Sequence, residues 1–418
     1  MPARGADSSG VLTGEALLAR FTALDAFLTA HQVLWKPRPF TYLQLPWETS
    51  HPELARWLRQ RSLEAAENDH HQPWLMEGAP APFPELAAIS RALSAVAELP
   101  ASTLEAPSHR LNVDVPGRKW QQIEAFASRL HFTTQPTHWL DWCAGKGHLG
   151  RRLLHDKQQL TCLEYDPALV SSGQQLSLRH RLPATHLQQD VLAADATQAL
   201  HPEHTPVALH ACGDLHVRLM HLASAVGCAQ LAIAPCCYNR INTERYQALS
   251  DAAKASALQL SLDDLSLPLS ETVTAGARVR RQRDHSMAWR LGFDLLQRQI
   301  RGCDDYLPTP SLPTVWLEKS FAQYCIDLAS LKDLSTVGTP DWAALEAAGH
   351  QRLAEVRNLE LLRGLFRRPL ELWLVLDRAL FLTQEGYDVR LGTFCDTPLT
   401  PRNLMLLAER YDAETACG

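Results

Sequence analysis

A short apolar run, His138–Trp142, passes through an acid and turns at once into Cys143-Ala144-Gly145-Lys146-Gly147-His148-Leu149-Gly150. No other feature of the chain restricts its fold as much. A strand that breaks into closely spaced glycines before a helix lets a ligand approach the main chain and leaves the helix's first amides free to face it. Gly145, Gly147 and Gly150 satisfy G-x-G-x-x-G, a pattern that is weak alone. Its surroundings strengthen it. Further apolar runs at 160–163, 186–189, 207–210 and 231–234 alternate with stretches of crossover-helix length. That alternation predicts an α/β fold, a doubly wound parallel sheet with helices on both faces.

Acids close three successive runs: Asp141 before the glycine turn, Glu164 after the second strand and Asp190 after the third. A dinucleotide needs only the second of these, on its ribose. S-adenosylmethionine (SAM) uses all three: Asp141 for its cationic amino-acid end, Glu164 for both ribose hydroxyls, Asp190 for the adenine edge. The set therefore favours SAM, with Asp141, Cys143, Gly145, Gly147, Glu164 and Asp190 as cofactor-binding residues. Capping of the next helix by these acids is the competing reading.

The fourth and fifth runs end in His210-Ala211-Cys212-Gly213-Asp214 and Pro235-Cys236-Cys237-Tyr238-Asn239. In a doubly wound sheet both lie on the rim where cofactor and substrate meet. Far downstream stand Leu376-Asp377-Arg378, Gly386-Tyr387 and Thr400-Pro401-Arg402-Asn403. Together with A-G-K-G-H-L-G, these motifs resemble a methyltransferase-like family with H-x-C-G-D, C-C-Y and S/T-P-R-N signatures, within the class I SAM-dependent methyltransferases. Its relatives include eukaryotic tRNA 2′-O-methyltransferases and proteins named for a ribosomal RNA adenine dimethylase domain. The resemblance spans roughly residues 118–410. It implies a Rossmann-like sheet whose last strand lies beside the fifth, and a methyl-transfer activity. Cys143 departs from the family's D-x-G-x-G-x-G, where glycine is usual.

His210, Cys212, Asp214, Cys236, Cys237 and Tyr238 are the candidate catalytic residues. A thiolate or imidazole among them can take a proton from the acceptor, or the group can shape the pocket. Tyr238 either stacks on a planar substrate or packs in the core. No metal is expected, because the H-x-C and C-C spacings differ from C-x₂-C knuckles and adjacent cysteines chelate one ion awkwardly. An N/D-P-P-Y motif, the usual holder of an exocyclic amine, is missing, so adenine N-methylation is not assigned.

The flanking segments read as helical. Apolar spacing predicts helices over 14–34, 52–66 and 84–99, and a linker rich in Pro, Ser and Thr follows. Residues 1–115 are thus expected to form a helical N-terminal domain, and 116–418 a methyltransferase domain with a helical insertion over about 300–370. Helices are also expected at 149–155, 288–301, 341–382 and 404–410, with a final strand at 387–394. Arg402 and Asn403 would then start the last helix, at the sheet's end opposite the rim, with Arg402 pairing with Asp377.

With 40 basic and 46 acidic side chains the chain is no polycation, so any nucleic-acid contact needs a local patch. One exists: seven arginines between Arg278 and Arg301, against Asp284 and Asp294. Arg278, Arg280, Arg281 and Arg283 are the expected RNA contacts, with a solvated helix face or internal ion pairs as the alternative. No apolar run has bilayer length, and five of the ten cysteines, Cys143, Cys162, Cys212, Cys236 and Cys237, sit in or beside expected strands of one α/β unit, so a reduced cytoplasmic enzyme without membrane contact is expected. The reading is a SAM-dependent methyltransferase with RNA as its expected substrate. The alternatives are a non-catalytic SAM-binding module for RNA or protein, a protein or small-molecule methyltransferase, and a nicotinamide-dependent oxidoreductase.

Overall fold

The computed structural model describes residues 10–106, 111–113, 115–155, 157–270, 277–335 and 339–410. They fall into two compact units, and the division is not at residue 115. One unit takes the described parts of Met1–Thr29, Leu93–Val273 and Pro369–Gly418; the other takes Ala30–Ala92 and Thr274–Arg368. The front third is therefore shared between them. Its first helix, Glu15–Ala30, buries Leu17, Phe21 and Leu24. The Phe21 ring lies 5.2 Å from that of Trp373, and Asp25 accepts the Trp373 indole N–H at 2.9 Å. Periodicity showed which face of this helix is apolar; it carried no information about the partner.

The first unit is built on one eight-stranded sheet: β1 (Leu12–Thr13), β2 (His138–Trp142), β3 (Gln159–Glu164), β4 (Ala184–Gln188), β5 (His204–Ala208), β6 (Gln230–Ile233), β7 (Tyr387–Thr393) and β8 (Leu404–Arg410). The order is β1-β7-β8-β6-β5-β2-β3-β4. β2 to β6 are mutually parallel where they pair, and β8 runs antiparallel between β6 and β7. This is a Rossmann-like α/β sheet, with the last strand beside the fifth parallel one. The chain winds outward from β2 to β4, then restarts at β5 on the other side of β2. That reversal opens a crevice at the carboxyl ends of β2 and β5. Leu160, Val207, Ala232 and Leu407 of the strands pack with Ile123 and Phe126 of the helix Gly117–Ala127 in one core.

Residues 404–410, expected as a helix, form β8. Leu404 to Ala408 are all buried, and a short apolar run of this kind fits a buried strand or a buried helix equally. The ladders offered by β6 and β7 decide for the strand. The change also moves the Thr400-Pro401-Arg402-Asn403 turn. An antiparallel strand begins where its parallel neighbours end, and Ile233 at the end of β6 pairs with Leu406 near the start of β8. The turn therefore stands at the rim, where the opposite end of the sheet was expected.

The second unit is helical. Trp289, Phe293 and Leu296 of the helix Ala277–Arg301 join Phe321, Tyr324 and Leu328 of the helix Phe321–Leu331 and Leu345 of the helix Trp342–Gly364. Asp294, 2% exposed, accepts from Arg298 at 3.1 Å and from Arg352 at 2.8 Å. Removing one member of such a buried ionic group strands the others. Asp294→Ala is expected to lower stability by about 3–5 kcal/mol, read by chemical denaturation; a loss below about 1 kcal/mol would show that water reaches both guanidinium groups.

Candidate functional site

The glycine turn follows β2 and leads into the helix His148–Leu153. Asp141 is 3% exposed, and its Oδ2 accepts the Gly150 N–H at 2.9 Å. The carboxylate thus ties the strand to the helix that follows the turn. Burial raises its pKa to about 6, against the lowering effects of the Gly150 hydrogen bond, Arg151 and Lys119. Glu164, half-buried at the end of β3, accepts the Gly145 N–H on Oε2 at 2.8 Å and the Asp166 N–H on Oε1 at 3.1 Å. Gly145 has φ +57°, and a Cβ there would meet nothing within 4 Å. The main chain is open to a ligand at this point. Gly147, in contrast, is buried against His186 and Cys162. Asp190 is exposed after β4, its Oδ1 accepting the Leu192 N–H at 3.0 Å.

Cys143 shows how these residues converge. It takes φ +57°, a left-handed conformation that costs a non-glycine residue about 1–2 kcal/mol. The turn keeps its shape without glycine, at the expense of local strain. The Cys143 thiol is pushed up to about 12, first by burial and then by Glu164, Asp141, Cys212 and Asp190. All three expected cofactor acids and one rim cysteine therefore act on a single sulfur.

The second half of the rim is assembled around Gly213. β5 and β6 continue into Cys212 and Cys236, which form a parallel bridge, and Gly213 N–H donates to the Cys236 carbonyl at 3.1 Å. Gly213 has φ +53°, and a Cβ would lie 2.0 Å from the Arg240 carbonyl oxygen. Only glycine fits there. Asp214 donates its N–H to the same carbonyl at 3.0 Å and accepts the Asn242 N–H at 2.8 Å. Its carboxylate fastens the loop after Cys236-Cys237-Tyr238. His210 is exposed, and its imidazole is held below the ordinary histidine range by desolvation and by Lys119.

Two expectations change here. Tyr238 is fully buried: its hydroxyl donates to the Pro235 carbonyl at 3.3 Å, and the Arg378 guanidinium lies 5.3 Å from its ring centre. It packs in the core and presents no face to a substrate. The expected absence of metal is also corrected. The sulfurs of Cys212, Cys236 and Cys237 all lie within 4.8 Å of one another, a group able to hold an ion. Consecutive residues of an extended chain point to opposite faces, but Cys237 has φ +48°. That turn lets neighbouring thiols converge. Hydrogen bonds from Cys212 and Cys236, then Arg402 and Arg240, hold the Cys237 thiol far below the ordinary cysteine range, while the Cys236 thiol is driven up.

A buried polar network, missed as a site from sequence, supports this rim. Asp377 and Arg378 are both 0% exposed. Asp377 accepts from Ser250 N–H at 2.7 Å, Ser250 Oγ at 2.6 Å, Leu249 N–H at 2.9 Å and Tyr246 hydroxyl at 2.6 Å. It does not pair with Arg402, which donates to the Leu269 carbonyl at 2.8 Å. Arg378 donates to His216 Nε2 at 2.7 Å, and His216 Nδ1 meets the Ala211 carbonyl at 2.9 Å. A guanidinium only donates, so His216 is neutral with its proton on Nδ1. The signal was present: Asp377 and Arg378 lie in the quoted L-D-R motif, and His216 falls two residues after Asp214.

The arginine-rich helix divides. Arg298 serves the Asp294 group, Arg290 donates to Thr309 Oγ1 at 2.6 Å, and Arg301 donates to Gln297 at 2.7 Å. Arg278, Arg280, Arg281 and Arg283 are exposed.

A family model described as a methyltransferase domain matches residues 118–244, less than a third of the chain. Among solved structures, the chain is similar to the 23S rRNA methyltransferase ErmE, at 15% identity over 57% of this chain and 97% of that one, with a TM-score of 0.24. It is similar to the plantazolicin methyltransferase BamL at 14% identity over 43% of this chain, with a TM-score of 0.22; the match spans 59% of that protein. Coclaurine N-methyltransferase matches at 12% identity over 82% of this chain and 89% of its own, with a TM-score of 0.24. Scores this low say nothing about substrate. The strand order and the domain match give a class I SAM-dependent methyltransferase-like fold with helical extensions. Among the described residues no helix is long and apolar enough to cross a membrane.

Asp141 generates a pH prediction. Its folded pKa of about 6 stands above the unfolded 3.8, so the folded chain binds more protons between these values. Its contribution to stability is full below the lower value and is lost as pH rises through about 6, a change of about 3 kcal/mol. Asp141→Asn keeps an acceptor for Gly150 N–H and should abolish this slope in denaturation curves taken from pH 4 to 7. An unchanged slope would assign it to other groups.

Proposed function

We propose that the protein is a SAM-dependent methyltransferase that acts on RNA. The observation that carries the cofactor reading is the Glu164–Gly145 pair: a carboxylate at a strand end, fixed beside an unobstructed glycine at the sheet's switch point. SAM is assigned to Asp141, Cys143, Gly145, Glu164 and Asp190, with Gly147, buried at φ +73°, shaping the turn beneath it. Glu164 offers its oxygens to the ribose hydroxyls, Asp190 stands toward the adenine edge, and buried Asp141 holds the turn in shape while its charge favours the cationic amino-acid end.

Methyl transfer is an in-line displacement, so the protein's task is to align acceptor and donor and to exclude water. Neutral His210 suits removal of a proton from the acceptor, and the Cys212, Cys236 and Cys237 group borders the same rim. Asp214 acts by holding that rim together. Four exposed arginines on one helix of an otherwise acidic chain support a polyanionic substrate.

Glu164→Ala is expected to weaken SAM binding by about 1–3 kcal/mol in titration calorimetry, the loss of a charged hydrogen-bond pair. Unchanged affinity in a variant with wild-type melting would place the cofactor elsewhere. For the acceptor, incubation of the protein with methyl-labelled SAM and with RNA or protein from a deletion strain should label RNA. Label in protein or small molecules alone would reassign the substrate, and binding without any labelled product would favour a non-catalytic module.

A further inference from the structure

We propose that Cys212, Cys236 and Cys237 form a three-thiolate site for one zinc ion, with a fourth coordination position left open. Two thiolates about 2.3 Å from a tetrahedral ion stand about 3.8 Å apart. Cys212 Sγ and Cys236 Sγ are 3.7 Å apart, and Cys237 Sγ lies within 4.8 Å of both. A tetrahedral edge is thus already present, and a small rotation of one side chain completes the face.

The main chain fixes this spacing independently of the sulfurs. The Cys212–Cys236 bridge sets two of the ligands in register across β5 and β6, and the Gly213 N–H to Cys236 hydrogen bond locks it. The left-handed turn at Cys237 brings the third sulfur to the same side. His216, held by Arg378, anchors the Ala211 carbonyl next to Cys212. Ligand supports of this kind are what orient a metal site's first contacts. Charge also fits. Zinc with three thiolates carries one net negative charge, and Arg240 and Arg402 set positive charge against the same group.

Soft thiolates select zinc over magnesium or calcium. Among the described residues no histidine or carboxylate joins the three sulfurs, so a tetrahedral ion keeps one position for water or for an acceptor lone pair. Three protein ligands and one open position is the composition of a reactive zinc site; closed structural sites use four. On binding, zinc displaces whatever thiol protons remain. The inference does not depend on methyl transfer, and its test reads metal and leaves activity aside.

The full chain, reduced and stripped with chelator under anaerobic conditions, is titrated with cobalt(II) and then with zinc. One equivalent of cobalt should give tetrahedral d–d bands and thiolate-to-cobalt charge transfer, and zinc should displace it stoichiometrically. Zinc should also protect Cys212, Cys236 and Cys237 from alkylation, mapped by mass spectrometry, and leave Cys303 reactive. Cys212→Ser and Cys237→Ser should lose the charge-transfer bands, and Cys303→Ser should keep them. If the rim variants fail to fold, the alkylation map of the unaltered chain decides. A reduced, folded protein that takes up no stoichiometric cobalt or zinc, or in which zinc protects other cysteines, overturns the site.

Discussion

The rim of this sheet depends on two charges that have no access to water. Asp377 and Arg378 sit side by side on the helix Arg367–Gln384, both fully buried. A buried charge is tolerated only when hydrogen bonds replace its hydration. Asp377 meets this need by gathering Tyr246, Leu249 and Ser250, so the loop beyond β6 has to lie against the helix. Arg378 meets it at Nε through His216 and at Nη1 through Tyr246 and the Leu374 carbonyl, and its Nη2 is left without a hydrogen-bond partner among the described residues. The peptide before Cys212 is positioned as a consequence, through His216 and Ala211. An ordinary hydrophobic contact would hold these loops near the helix; directed hydrogen bonds hold them in register.

The other half of the site rests on topology. β2 is the strand at which the winding reverses, so its carboxyl end has β3 on one side and β5 on the other. Glu164 arrives from β3, Cys212 from β5, and both act on Cys143. The antiparallel β8 adds the Thr400-Pro401-Arg402-Asn403 turn to the same rim, and Arg402 reaches the charge field of Cys237. Segments almost 260 residues apart in sequence, from Cys143 to Arg402, thereby border one crevice.

The parts legible in the sequence were those with a local physical signature. β2 falls where its apolar run predicted, and the other parallel strands lie within a few residues of theirs; β2, β3, β5 and β6 are largely buried and read as short continuous apolar runs, while the edge strand β4 buries only His186. The glycine turn and its acids were legible because turn chemistry is local. What was not legible depended on partners. Leu404 to Ala408 needed β6 and β7 to become a strand, and the helix Glu15–Ala30 needed Trp373 to join the sheet's unit. Tyr238, beside two cysteines of the rim, needed Arg378 to explain its burial. The thiol group was misjudged for a backbone reason: adjacent cysteines diverge on an extended chain, and nothing in Cys236-Cys237 announces a left-handed turn. Arg290, Arg298 and Arg301 belong to the unit's own packing, which a count of charges cannot distinguish from a patch.

We propose the open turn at Gly145, with Glu164 beside it, as a SAM site and not a dinucleotide site. Titration calorimetry of the full chain with SAM, S-adenosylhomocysteine and NAD tests it most directly. One site for SAM and for S-adenosylhomocysteine is expected, and no heat of binding with NAD. Saturable binding of NAD, or a folded chain that binds neither SAM nor its demethylated product, would contradict it.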